Sequence, residues 1–161
     1  MNRPVAPRDW PTLAAACRPD GRMLIDGERR PAAAGDTFDC ISPLDGRTIA
    51  QVARGQATDI DAAVRSARRA FEDGRWAHKP PAVRKKILLG FAEKILAAKD
   101  ELALLETLDV GKPIQHSLGV DVPSAARCIA WYGEAVDKVY DEIAPTARSA
   151  LALITREPMG V

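Results

Sequence analysis

The sequence predicts an α/β fold whose strands lie at the two ends of the chain and whose helices lie between them. Short strand-like runs separated by Gly- and Pro-containing turns fill the first third. Stretches with apolar residues at helical spacing fill the middle, and two further short apolar runs follow near the end.

The β-rich opening follows a short helix predicted over residues 8–17. Asp26-Gly27 separates the first two strand-like runs and predicts a hairpin, because Asp-Gly supplies the positive φ angles of a two-residue turn. The turn Ser-Pro-Leu-Asp-Gly at residues 42–46 joins the next two. The predicted strands are residues 23–25, 28–30, 37–41 and 48–52.

The first helix of the middle section is predicted to be capped by Thr58, with the Asp59 carboxylate favourably placed near the positive end of the helix dipole. Gly74 ends it, and Pro80-Pro81 opens the next helix. The first helix is expected to bury Ile60, Val64, Ala67 and Phe71, and the second Val83, Ile87, Leu88, Phe91 and Ile95.

Two more helices are predicted, over residues 100–108 and 120–140, before a strand pair at residues 142–145 and 151–155. The last helix is expected to turn Val122, Ala126, Ile129, Gly133 and Val136 inward. No central sheet is available to receive four apolar helix faces, so we expect part of the packing surface to lie outside these residues.

Composition excludes several classes of function. Of 161 residues, 47% are hydrophobic and 28% charged, the balance of a soluble globular protein. The net charge of +1 provides no basic field for nucleic acid. No run approaches the ~20 apolar residues of a membrane span or forms a signal peptide, so we expect a cytoplasmic protein that binds neither nucleic acid nor membrane. Three widely spaced cysteines suit a reducing compartment.

The residues themselves show no catalytic motif. Gly-x-Gly-x-x-Gly, Gly-x-Ser-x-Gly, His-Glu-x-x-His and Cys-x-x-Cys are all absent from the sequence. His78 and His116 stand alone and are expected to be surface residues. We therefore predict no catalytic and no cofactor-binding residue in this stretch.

The order of several short blocks resembles the NAD(P)-dependent aldehyde dehydrogenase superfamily, over about residues 21–161. Glu-Thr-Leu-Asp-Val-Gly-Lys-Pro at residues 106–113 and Arg-Glu-Pro-Met-Gly-Val at 156–161 are the most specific. The others are residues 37–38, 42–46, 49–52 and the helix 63–71. Residues 101–106 and 137–142 are most similar to bacterial enzymes acting on γ-glutamyl-γ-aminobutyraldehyde and related aminoaldehydes.

The resemblance implies an incomplete, N-terminal part of the family's nucleotide-binding domain, made of β-hairpins and a helical layer. Residues 1–20 would be an N-terminal extension, and residues 21–140 the part of the domain itself. Residues 141–158 would form an oligomerisation β-hairpin, and 159–161 the start of a truncated Rossmann-type core. A homo-oligomer is therefore expected.

The resemblance also implies a parent enzyme that oxidises an aldehyde, and by the subgroup an aminoaldehyde of polyamine catabolism, with NAD or NADP. In the family the nucleophilic cysteine, the general base and the phosphate-contacting glycines come later in the sequence. The isolated chain is therefore expected to be inactive. Two alternatives stay open: a non-catalytic remnant that binds full-length subunits through its hairpin, and a product that folds poorly.

Two sites are implied residue by residue. Family members hold a monovalent cation near the strand and block that contain Ile41 (backbone carbonyl) and Asp109 here, with Cys40 a third candidate. Alternatively, Asp109 caps a turn or stabilises Lys112. Asp121 and Ser124 resemble the mouth of the substrate tunnel.

Asp121 would there attract the amine of an aminoaldehyde, or it would stabilise the helix dipole, which is the favoured alternative. Trp131 and Tyr132 would border the same tunnel or belong to the core.

Overall fold

Three separate two-stranded antiparallel sheets and a layer of helices make up residues 8–161, the part of the chain that the computed structural model describes. Residues 1–7 of the predicted N-terminal extension lie outside it. The helices are α1 (Trp10–Ala16), α2 (Ala57–Glu72), α3 (Pro81–Ala97), α4 (Lys99–Val110), α5 (Ile114–His116) and α6 (Val122–Ala135), with a π-helical turn (Ser117–Asp121) before α6. The strands are β1 (Met23–Ile25), β2 (Glu28–Arg30), β3 (Thr37–Ile41), β4 (Thr48–Ala53), β5 (Glu142–Ala144) and β6 (Ala152–Ile154).

All the predicted strands are present, and each pairs with its neighbour along the chain. The hairpin turn between β1 and β2 has positive φ at Asp26 (56°) and Gly27 (80°), which confirms the prediction from Asp-Gly. In the second hairpin the register shifts between Cys40 and Ile41, a bulge after which Ile41 pairs with Thr48.

The N-terminus of α2 differs from the prediction. Gln56, not Thr58, is the N-cap residue. The Asp59 carboxylate accepts the Gln56 backbone N–H at 3.0 Å and the Ala33 N–H, in the loop between β2 and β3, at 3.1 Å. Thr58 is wrong as a cap because it lies inside the first turn, and the Asp59 carboxylate satisfies the Gln56 N–H from within the helix. Asp59 thereby ties α2 to the preceding loop.

The main core forms where α3 packs against α6. Val122, Ala126 and Gly133 are buried, as predicted, and Ile129 and Val136 are half-buried. Gly133 permits the close approach, because a Cβ there would lie 3.1 Å from the Leu88 Cβ. The predicted inward face of the last helix is therefore confirmed.

The predicted limits of that helix, residues 120–140, are wrong at both ends. The π-helical turn precedes α6, with the Val122 N–H bonded to the Ser117 carbonyl. Pro123 follows directly and has no N–H to continue an ordinary α-helical ladder. At the other end α6 stops at Ala135, where the Lys138 ammonium binds the Glu134 carbonyl at 2.5 Å.

The predicted apolar faces of α2 and α3 are mostly exposed. Ile60 is 60% exposed and Val64 44%, and Ala67 is exposed as well, so the expected burial of this face is wrong for the described chain. In α3 the residues Val83, Ile87 and Phe91 are exposed, while Leu88 and Ile95 are half-buried. Residues 8–161 contain no central sheet that could cover these faces.

The last hairpin, β5 and β6, stands apart from the other two sheets. Arg156 closes its base: its N–H donates to the Asp141 carboxylate at 3.0 Å, and its guanidinium binds the Tyr140 carbonyl and the Glu142 carboxylate. Ile143 is 71% exposed on this hairpin. No helix within residues 8–161 is long and apolar enough to cross a membrane.

Candidate functional site

A cleft of 520 Å³ lies between the β3–β4 hairpin and α4. One wall is the segment around Gly21 and Arg22, which runs beside β4 because the Ala53 N–H donates to the Gly21 carbonyl at 2.8 Å. A side chain at position 21 would collide with this strand, since a Cβ there would lie 2.0 Å from the Gln51 carbonyl oxygen. The opposite wall includes Leu105 of α4.

Cys40 and Asp109, 69 positions apart in sequence, meet in this cleft. The Cys40 thiol donates to the Asp109 carboxylate with a sulfur–oxygen distance of 3.3 Å. This hydrogen bond raises the pKa of Cys40, with desolvation and the nearby negative charge acting in the same direction. Cys40 is therefore held as the neutral thiol, which is a poor nucleophile.

The predicted cation-binding residues thus come from two elements that meet at the cleft. Asp109, near the end of α4, lines it together with Cys40, and Ile41 follows Cys40 at the bulge of β3. Within residues 8–161 no three His, Cys, Asp or Glu side chains cluster as metal ligands. A cation here would need backbone carbonyls beside the Asp109 carboxylate, and such oxygen donors fit a hard ion.

Lys112 does not pair with Asp109, one of the alternatives for that residue. Its ammonium binds the Glu106 carboxylate at 2.8 Å and the Asp121 carboxylate at 2.8 Å. Hydrogen bonds to Asp121 and then Glu106 raise the pKa of Lys112. Gly111 makes this arrangement possible, because its φ of 80° ends α4 in a left-handed conformation and turns the chain back.

The predicted substrate-entrance residues lie at the start of α6. Asp121 is the last residue of the π-helical turn, and its carboxylate already binds the Lys112 ammonium. This favours a structural role over attraction of a substrate amine. The half-buried Ser124 accepts a hydrogen bond from the Arg127 guanidinium at 2.8 Å.

Trp131 and Tyr132 are not core residues within the described chain, since they are 65% and 62% exposed. Their rings pack edge to face, with an angle of 85° between the ring planes and a distance of 4.9 Å between the ring centroids. His78 and His116 are exposed, as predicted. Cys17 and Cys128 are free thiols, and so is Cys40.

The paired acids of Lys112 were missed by the sequence reasoning. Glu106 and Asp121 lie on either side of a sharp reversal of the chain, so the spacing rules for side-chain pairs on one helix do not predict that they share a lysine. A second missed contact joins the Thr107 and Ser117 hydroxyls at 3.0 Å, with Ser117 fully buried. The sequence signal that could have predicted the Lys112 ion pairs is a lysine directly after the helix-ending Gly111, with acidic residues before and after it along the chain.

Comparison with known proteins places this arrangement in a family. Residues 30–161 match the aldehyde dehydrogenase family. The chain is 48% identical over 152 residues to the NADP/NAD-dependent aldehyde dehydrogenase PuuC of Escherichia coli, covering 94% of this chain and 31% of that protein.

Two solved structures match with similar coverage, 94% of this chain and 31% of theirs. The indole-3-acetaldehyde dehydrogenase AldA of P. syringae, in complex with NAD+ and IAA, is 53% identical with a TM-score of 0.91. The γ-glutamyl-γ-aminobutyraldehyde dehydrogenase of Burkholderia cenocepacia is 51% identical with a TM-score of 0.92. The chain spans about a third of the length of these relatives. By sequence and by structure, it belongs to the aldehyde dehydrogenase family.

Proposed function

We propose that this chain is the N-terminal part of an NAD(P)-dependent aldehyde dehydrogenase that oxidises an aldehyde, specifically an aminoaldehyde, to a carboxylic acid. The observation that carries the proposal is the family match over residues 30–161. The substrate class is supported by 51% identity to a γ-glutamyl-γ-aminobutyraldehyde dehydrogenase. NAD is supported by the complex of a relative with NAD+, and NADP by the name of PuuC.

In this proposal the chain contributes support to the active site and no catalytic group. Cys40 is an unsuitable nucleophile because its hydrogen bond to Asp109 stabilises the neutral thiol. Ile41 and Asp109 would hold a monovalent cation at the edge of the cleft and so join the β3–β4 hairpin to α4. Asp121 and Ser124 would border the entrance for the aldehyde. The cytoplasmic location stays a prediction from composition.

The domain limits are proposed on the same basis. Residues 21–140 would be part of the nucleotide-binding domain, following an N-terminal extension. Residues 141–158 would be an oligomerisation hairpin of a homo-oligomer, with 159–161 leading into the Rossmann-type core. The exposed Ile143 and Leu153 support the hairpin's role. So do the outer edges of β5 and β6, which pair with no other strand of residues 8–161, because such edges favour pairing with another chain.

The experiment measures the reduction of NAD+ or NADP+ by two proteins, each supplied with an aminoaldehyde or with an uncharged aldehyde of equal length. One is the native polypeptide that carries this sequence, and the other is the purified 161-residue chain. We expect turnover only when the rest of the family's length is present, with preference for the aminoaldehyde. Turnover by the 161-residue chain alone would refute the proposed inactivity, and no turnover by a full-length enzyme would refute the activity.

The alternative, a non-catalytic remnant that binds full-length subunits, rests on the exposed hairpin. It predicts that the 161-residue chain co-sediments with a full-length relative. Ile143→Asp should abolish this association, whereas Arg148→Ala in the connecting loop should not. Separate sedimentation of the two unmodified proteins would exclude the alternative.

A further inference from the structure

We propose that Lys112 is a positioning residue that shapes the substrate entrance by clamping the π-helical turn Ser117–Asp121 to the end of α4. The proposal rests on the function proposed above, since the entrance is assigned there. The clamp itself is a matter of contacts within residues 106–124, and it can be tested without any activity.

The first contact is the ion pair at the last residue of the turn. Lys112 lies between Gly111, the C-cap residue of α4, and Pro113, the N-cap residue of α5, so its position is fixed by the reversal of the chain. Its ammonium binds Glu106 on α4 and Asp121 on the turn, each at 2.8 Å. The three side chains are 30–34% exposed, so solvent screens them less than it does a pair on an open surface.

The second contact holds the first residue of the turn. Ser117 is fully buried, and its hydroxyl shares a hydrogen bond of 3.0 Å with the Thr107 hydroxyl. Thr107 follows Glu106 directly on α4. The turn is therefore tied to α4 at both of its ends, by a neutral hydrogen bond at Ser117 and by Lys112 at Asp121.

The two ties matter because a π-helical turn is less favourable than an α-helical one and persists where its surroundings hold it. If the turn relaxed by one residue, every side chain that follows would rotate by roughly 100° about the axis of α6. Ser124 would then leave its present side of the helix. Without Lys112, moreover, Glu106 and Asp121 would face each other as two unneutralised carboxylates, which favours separation.

Lys85 offers a matched control at the other end of α6. It too is a lysine shared between two acids, Glu134 at 2.5 Å and Asp137 at 3.6 Å, and it also joins two helices. Unlike Lys112, Lys85 binds acids at the C-terminal end of α6, far from the π-helical turn that precedes the N-terminus of this helix. Lys138 also binds Glu134 at 3.7 Å and Asp137 at 2.8 Å. Lys85→Met therefore removes one lysine ion pair between α3 and α6 while leaving the turn intact.

The experiment measures amide hydrogen exchange in the native polypeptide carrying Lys112→Met, Lys112→Arg or Lys85→Met. Lys112→Met should speed exchange at residues 118–122 roughly threefold to tenfold without changing exchange in α3. Lys112→Arg should retain most of the protection, because it keeps the charge. Lys85→Met should leave residues 118–122 unchanged.

Kinetics with an aldehyde substrate give the second readout. Lys112→Met should raise KM several-fold with little change in kcat, and Lys112→Arg should restore KM, because a displaced entrance weakens binding and leaves the chemistry intact. If Lys112→Met does not fold, Glu106→Gln takes its place with the same expected pattern, because it preserves the shape of the side chain and removes the ion pair that joins Lys112 to α4.

Unchanged exchange at residues 118–122 in Lys112→Met would overturn the clamp. Equal effects of Lys112→Met and Lys85→Met would also overturn it, since they would reveal general destabilisation. A looser turn with unchanged KM would show that the turn does not shape the entrance, and so would contradict the positioning role. Absence of aldehyde oxidation in the unmodified native polypeptide is a different outcome, because it refutes the proposed function while the exchange data still decide the clamp.

Discussion

Replacing Gly21 by alanine tests how the cleft is built. The methyl group would lie 2.0 Å from the Gln51 carbonyl oxygen, 2.8 Å from the Gln51 carbonyl carbon and 2.9 Å from the Val52 Cα. All three are backbone atoms of β4, so no side-chain rotation relieves the collision. The segment or the strand must move, and the hydrogen bond between the Ala53 N–H and the Gly21 carbonyl is the contact that opens.

The cost follows from these two effects. Forcing a methyl group into a filled space costs about 1–3 kcal/mol, and loss of the backbone hydrogen bond costs about 1 kcal/mol. Gly21→Ala should therefore lower the free energy of unfolding by roughly 2–4 kcal/mol. Gly90 in α3 provides the matched control, since a Cβ there would have no atom within 4 Å apart from its chain neighbours and the backbone of its own helix. Gly90→Ala should stabilise by roughly 0.5–1 kcal/mol, because alanine is the better helix former.

The assay is urea unfolding followed by circular dichroism, with the free energies obtained by linear extrapolation for variants of equal slope. The same chemical change should thus have opposite signs at the two positions. A Gly21→Ala protein within about 0.5 kcal/mol of the unmodified chain would lie in the range of ordinary surface substitutions and would refute the proposed packing. A larger loss in Gly90→Ala than in Gly21→Ala would refute it as well.

Two further predictions concern the carboxylates that organise the chain. Asp59→Ala should lower the free energy of unfolding by roughly 1–3 kcal/mol, because the N–H groups of Gln56 and Ala33 lose their acceptor. Asp59→Asn should lower it by less. Equal urea midpoints for the unmodified chain and the two variants would contradict this role of Asp59. Asp109→Asn should lower the pKa of Cys40 and so speed the alkylation of its thiol by iodoacetamide. The exposed Cys128 serves as the internal control. An unchanged rate of Cys40 labelling would contradict the hydrogen bond between Cys40 and Asp109. Because the folded-state pKa of Cys40 is raised, its contribution to stability is complete below the ordinary thiol pKa and is lost as the pH rises through the raised value.

Local sequence signals predicted most of the secondary structure. Asp26-Gly27 indicated the first hairpin, and Pro80-Pro81 indicated the start of α3, because both depend on the backbone angles of one or two residues. The inward face of α6 was predictable from spacing, since Gly133 and its neighbours pack on another helix of the same chain.

The remainder depended on contacts between distant residues. Thr58 is a reasonable cap by type, but the Asp59 carboxylate reaches both Gln56 and a loop residue far back in the sequence. The π-helical turn depends on Lys112, which joins Asp121 to Glu106 of α4, and on Ser117, which contacts Thr107 of α4. The positions of Ile41 and Asp109 in the candidate site came from family resemblance, because no spacing rule joins a strand end to a helix end.

The strictly local pairing of the strands has a consequence for the order of folding. Each hairpin needs only its own residues, so loop closure costs little entropy and formation takes roughly 1–10 μs. The contact of α3 with α6 must wait until α4 and the π-helical turn have been synthesised. On the ribosome, where synthesis adds about 5–20 residues per second, we expect the first two hairpins to form well before the helical core. The β-strands of this chain therefore need not compete with one another for partners as they emerge.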